Sequence, residues 1–61
     1  MIELPRRVAV IFKSPMSGRW VRGEAFAYRS ASDKSVANIY AVQDLETGRI
    51  SDIAESDLTF S

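Results

Sequence analysis

Cysteine and histidine are missing altogether from this 61-residue chain. No disulfide can staple the fold, and a structural zinc site loses its usual ligands. The commonest general base and the commonest thiol nucleophile are absent as well. No internal repeat or low-complexity tract is present, and no apolar run approaches the roughly 20 residues needed to span a bilayer. The opening MIELPRRVAVIF sets only five apolar residues after its two arginines. That is too short for a signal-peptide core, so a cytoplasmic protein with no membrane partner is expected.

What remains is a chain with room for one domain, residues 1–61. Domains this small bury only about 60% of the surface their unfolded chains expose, so the core is thin. The hydrophobic fraction of 46% is that of a globular protein, not a disordered one. With neither disulfide nor zinc, stability must come from apolar packing, backbone pairing, or association with a partner or a second copy. The net charge is zero but unevenly spread along the chain. Residues 1–34 hold Arg6, Arg7, Lys13, Arg19, Arg22, Arg29 and Lys34 against Glu3, Glu24 and Asp33, a balance of +4. Residues 35–61 hold Arg49 against Asp44, Glu46, Asp52, Glu55 and Asp57, a balance of −4. Such a split can steer a partner, unless the two halves interleave in space.

The pattern along the chain is that of strands. Arg7–Phe12 is β-branched, of strand length, and bounded by Pro5 and the turn-rich KSPMSG. Its unbroken apolarity predicts burial on both faces or a bend between two sheets. Lys13–Arg19 is a loop, with Pro15 opposing helix at Ser14. Trp20–Arg29 is a second strand in which Val21 and Phe26 both point inward. Those two positions differ in parity, so one residue of slip is required, and Gly23 is the expected site of a bulge or bend. Ser30–Val36 is a small polar loop. Asn38–Leu45 alternates, with Ile39 and Ala41 on one side and Tyr40 and Val42 on the other. Glu46-Thr47-Gly48 makes a hairpin connection, and Gly48 is placed for a positive-φ bulge. Arg49–Ile53 returns, Ala54–Asp57 fits one 3-10 turn, and Leu58–Phe60 closes as a short strand. A helix over Ser51–Leu58 is the competing reading, marginal alone at that length. The expected core is Val8, Val10, Phe12, Val21, Phe26, Ile39, Ala41, Ile50, Ile53, Leu58 and Phe60.

Signals for catalysis are weak. No serine lies in a GxSxG or SxxK arrangement. Asp52, Glu55 and Asp57 cluster, but the spacing and glycine of an EF-hand are missing, so a solvated acidic edge is expected. Arg19, Trp20, Arg22 and Tyr28 interleave guanidinium groups with aromatic rings, as nucleic-acid-binding surfaces do. A sequence pI near 6.1 weighs against strong phosphate binding. Trp, Tyr and Arg are also the residues that dominate protein interfaces. The candidate partner-binding residues are therefore Met16, Arg19, Trp20, Arg22, Tyr28 and Tyr40, gathered in a groove beside the first long loop. Against this stands the structural alternative, in which Trp20 caps the fold and Tyr40 packs a core.

The run NIYAVQDLETGRISDIAESDLTF, read as strand, tight turn, strand, short helical turn, strand, resembles the closing half of SH3-like small barrels. The likeness covers about residues 7–60 and implies an all-β, five-stranded barrel with a short 3-10 turn before its last strand. Tyr40-Ala41-Val42, with the turn, strand and short helical turn after it, is also similar to the plasmid-borne trimethoprim-resistant dihydrofolate reductases. Where that family has its Val-Gln-Ile-Tyr pore strand, this chain reads Arg49-Ile50-Ser51-Asp52-Ile53, so the activity is not implied. MIELPRRV is similar to the opening of the carbon-storage-regulator RNA-binding proteins, without their later Ala-Pro and Val-x-Val-x-Arg segment. The function expected is that of a small non-enzymatic module that recognises a protein, such as an accessory or modulator protein of a phage or other mobile element. A small barrel binding RNA or single-stranded DNA is the alternative. No cofactor or metal is expected, and a homo-oligomer is compatible with the composition.

Overall fold

A computed structural model describes residues 1–30 and 38–61 of the chain. The polar loop expected over Ser30–Val36 lies outside the described residues except for Ser30, which ends a strand. Five strands are formed: β1 (Ile2–Lys13), β2 (Trp20–Ser30), β3 (Asn38–Asp44), β4 (Ile50–Ala54) and β5 (Leu58–Phe60). They make one antiparallel sheet in the order β4-β3-β2-β1-β5, curled into a half-barrel. A 3-10 turn, Glu55–Asp57, carries the chain from β4 at one edge to β5 at the other. Ser51–Ala54 is strand, so the helical reading of Ser51–Leu58 does not hold.

β1 is longer than its sequence signal because Ile2 and Glu3 also pair, with Tyr28 and Ala27. Between Glu3 and Val8 the register breaks. Pro5 sits in that break, where its missing N–H leaves no ladder bond to lose. From Val8 onward the strand alternates. Val10 and Phe12 are buried, whereas Ala9 and Ile11 are exposed. The apolar run is thus buried on one face only, contrary to the expectation from its composition.

The slip in β2 is present but lies elsewhere than expected. Gly23 pairs with Val10 and with Asp44 without a register shift; the shift falls between Ala25 and Ala27, leaving Phe26 unpaired with β3. Gly23 serves a different purpose. A Cβ there would lie 2.5 Å from Phe12 Cε1 and 2.8 Å from the Gln43 carbonyl oxygen. The absent side chain is the hollow that accepts the Phe12 ring. Past the slip, Ala27 shares a row with Ala41 and Tyr28 shares one with Tyr40. Phe26 ends half-buried beneath the Arg7 guanidinium, which stands 5.2 Å above its ring.

The core consists of Val10, Phe12, Ala25, Tyr40, Val42, Ile53 and Leu58, with Leu4, Val21 and Tyr28 packed against it. Of the expected members outside it, two are exposed: Ile50 is 57% exposed and Phe60 46%. Ile50 and Ile53 are three apart, and alternation puts residues three apart on opposite faces of a strand. Tyr40 and Val42, in place of Ile39, take the inner face of β3, and Val42 pairs with a fully buried Ala25 of β2. Ala41 is buried as expected, and Val8, Val21, Phe26 and Ile39 are half-buried. Tyr40 reaches from β3 across the curl to the β5 margin. Its ring meets Tyr28 on β2 at 5.9 Å and Phe60 on β5 edge-on at 5.3 Å, and its hydroxyl donates to Glu55 Oε1 at 3.4 Å.

The two tight spots of this core can be tested by substitution. Gly23→Ala should cost about 1–3 kcal/mol in urea unfolding, because the Gln43 carbonyl is backbone and cannot swing aside. A change below about 0.5 kcal/mol would show that the Phe12 hollow is not tight. Tyr40→Ala should cost about 3–5 kcal/mol, as much as a domain of this size commonly has. Near-ultraviolet circular dichroism should therefore show it largely unfolded, with Tyr40→Phe still folded.

Candidate functional site

Two short connections face each other at one end of the half-barrel, and each is held by its own hydrogen bonds. In the β1–β2 loop the Ser14 N–H donates to the Arg19 carbonyl (2.8 Å) and the Gly18 N–H to the Ser14 carbonyl (2.7 Å). The buried Ser14 hydroxyl accepts from the Met16 N–H at 3.3 Å, and Ser17 Oγ accepts from the Arg19 N–H at 3.2 Å. In the β3–β4 hairpin the Asp44 N–H donates to the Arg49 carbonyl (2.9 Å) and the Gly48 N–H to the Asp44 carbonyl (2.8 Å). Asp44 Oδ1 accepts from the N–H groups of Glu46 (2.8 Å) and Thr47 (3.2 Å), an Asx-type turn. Gly18 and Gly48 both take positive φ, +72° and +77°, which a residue with a Cβ adopts only under strain. The Gly48 conformation agrees with the hairpin read from the sequence.

Between loop and hairpin lies a groove of about 530 Å³, within the size range of small-ligand and side-chain-binding sites. Phe12 and Val21 form its floor. Met16 and Arg19 stand on one wall, Glu46 and Arg49 on the other. Met16 is 70% exposed at the loop tip. Among the described residues neither Arg19 nor Arg49 makes an ion pair; the pairs formed are Arg7–Glu24 at 3.5 Å and Arg29–Asp52 at 3.9 Å. The two charge halves of the chain interleave here, since Arg19 lines the same groove as Asp44 and Glu46.

The six residues singled out from the sequence fall in three places. Met16 and Arg19 line this groove. Trp20 and Arg22 lie on the opposite side of β2, where with Leu45 and Glu46 they line a shallower depression. Tyr28 and Tyr40 pack on each other within the curl, and Tyr40 is only 9% exposed. Alternation explains the division. Trp20 and Arg22 share the outer parity of β2, whereas the slip at Phe26 turns Tyr28 to the inner face. The acidic residues near the C-terminus are also dispersed: Asp52 pairs with Arg29, and Glu55 accepts from Tyr40. No group of three potential metal ligands occurs among the described residues, and no described helix is long and apolar enough to cross a membrane.

Sequence reasoning missed four surface residues. Leu45, Ile50 and Ile11 are 56%, 57% and 40% exposed, and Arg49 lines the groove. Parity held a signal for Ile50, since Ile53 already claimed the inner face. Nothing local marked Leu45, which lies just beyond the end of β3.

If the groove is a site and not packing, its rim is dispensable for folding. Met16→Ser and Arg19→Ala should each shift the urea unfolding free energy by less than about 0.5 kcal/mol. A loss on the order of 2 kcal/mol or more, as expected of a buried contact, would assign the loop to the core instead. The chain matches no protein-family model, no curated protein and no solved structure, so the reading of this surface rests on its own chemistry.

Proposed function

We propose that the chain is a non-enzymatic module of SH3-like architecture that binds a protein segment in the groove between the β1–β2 loop and the β3–β4 hairpin. The strand order and the 3-10 turn before the last strand support the SH3-like comparison. The carrying observation is the groove itself. It has an apolar floor, an exposed methionine, and two guanidinium groups with no ion pair among the described residues, all held between connections that are already ordered. Preorganised loops bind without paying for their own ordering. Methionine adapts to varied apolar side chains, while the guanidinium groups orient polar groups of a partner. Among the six candidates, Met16 and Arg19 are the groove contacts. Trp20 and Arg22 line the separate depression on the other side of β2, and Tyr28 and Tyr40 pack on each other within the curl, outside the groove lining.

The test is selection of peptides from a random display library against the purified protein, then titration of synthetic peptides. Selected peptides should bind with micromolar affinity and weaken at least about tenfold against a Met16→Ser/Arg19→Glu variant. Failure to select any peptide sensitive to that variant overturns the reading. Fluorescein-labelled single-stranded RNA and DNA serve as the contrast. Saturable binding that falls steeply with salt would favour the nucleic-acid alternative.

A further inference from the structure

The outer face of β1, β2 and the end of β3 sets exposed large apolar side chains beside charges of both signs, Lys13, Arg22 and Glu24. Register places Ile11 beside Arg22, and Arg22 beside Leu45, whose N–H donates to the Arg22 carbonyl at 3.3 Å. Trp20 stands two residues before Arg22 on the same face, and the next row across the sheet ends in Ile50. Trp20, Ile11, Leu45 and Ile50 are each between 40% and 57% exposed. Trp20, Ile11 and Leu45 cluster about Arg22, which shares a surface depression with each of them, while Glu24 and Gln43 part Ile50 from the group. Arg22 lies within it and Glu46 at its rim, and neither makes an ion pair among the described residues.

We infer that two copies of this chain associate face to face through this surface, with Arg22 of each copy set against Glu46 of the other. A twofold contact is self-complementary by construction, so one Arg and one Glu on the same patch generate two opposed ion pairs. The axis then passes between Arg22 and Glu46, bringing Leu45 against its own copy, with Trp20 and Ile11 around it. A net charge of zero removes the repulsion that keeps like chains apart. The thin core, with no cysteine in the chain, is the situation in which small domains gain stability from association. The Met16 and Arg19 wall of the β1–β2/β3–β4 groove stays free in this arrangement, and Glu46 is the residue that groove and interface share.

Sedimentation equilibrium of the pure protein, from micromolar to millimolar concentration, tests this without any other partner. The weight-average mass should rise from 6.8 kDa toward twice that value, with a blue shift of Trp20 emission. Arg22→Glu and Glu46→Arg should each weaken association by about tenfold or more, and the double exchange should restore it. All three variants alter exposed side chains, and matching far-ultraviolet spectra confirm that they fold. A monomer at every concentration overturns the proposal, as does self-association that the single charge reversals leave unchanged or that the double exchange fails to restore. Arg22 lies outside the groove and Glu46 on its wall, so the Arg22→Glu result is the one that separates this proposal from peptide binding, which is read with Met16→Ser/Arg19→Glu.

Discussion

The link between β4 and β5 is the constraint on which the rest of the structure depends. Five strands laid flat put the outer two roughly 19 Å apart, at about 4.8 Å per strand spacing. Ala54 to Leu58 is a single 3-10 turn flanked by strand, and even fully extended those four steps reach only about 14 Å. The sheet cannot be flat and still place β4 and β5 at opposite margins. It must curl until the margins approach, and the curl creates an inside and an outside. Tyr40 then makes contacts that a flat sheet would not allow: it touches β2 beside it, β5 across the interior, and the turn itself.

A curl this tight must be accommodated along the strands, and β1 and β2 accommodate it at neighbouring places. Glu3–Val8 of β1 and Ala25–Ala27 of β2 both break register, and both breaks flank Phe26. Opposite β3, the extra residue in β2 increases local twist and bends the strand. The long side chain of Phe26 is thereby turned out of the core, and Arg7, released from regular pairing by the Pro5 break, covers it. Arg7 Nη1 also donates to Gln43 Oε1 at 2.7 Å, and Gln43 Nε2 donates onward to the Gly48 carbonyl at 3.1 Å. One basic residue from β1 thus ties the outer face to the hairpin tip. The exposed part of this chain of contacts contributes little individually, but it orders the far wall of the groove.

Element order was legible in the sequence because its signals are local. Pro15, Gly18 and Gly48 mark where strands must stop, and the polar trio Glu55–Asp57 marks the turn; Pro5, read as a strand boundary, instead breaks register inside β1. Which residues face inward was less legible, because that depends on where the slip falls. Gly23 is the obvious place for a slip from composition, yet its lack of a side chain answers to Phe12 on another strand. Ala25 and Val42 became core because Phe12, Tyr40 and Leu58 already fill the space above them, a fact of packing and not of pattern. The candidate site suffered the same way. Grouping Met16, Trp20, Tyr28 and Tyr40 required one common face, and a strand that alternates and then slips supplies three different ones.

The two surfaces that result are separated by a single strand position. Val21 points between them and lines both the groove and the outer depression, as does Glu46 at the hairpin. Any partner that orders one surface therefore meets residues that shape the other, through Glu46 above all, whose backbone N–H is fixed by Asp44. A pair of chains joined at their outer faces would carry two grooves on one rigid particle. A partner with two recognition segments would then be held by both, the second binding at an effective concentration set by the linker between them. For a module whose single groove is small and open, such pairing is the physical route from weak contacts to a useful affinity.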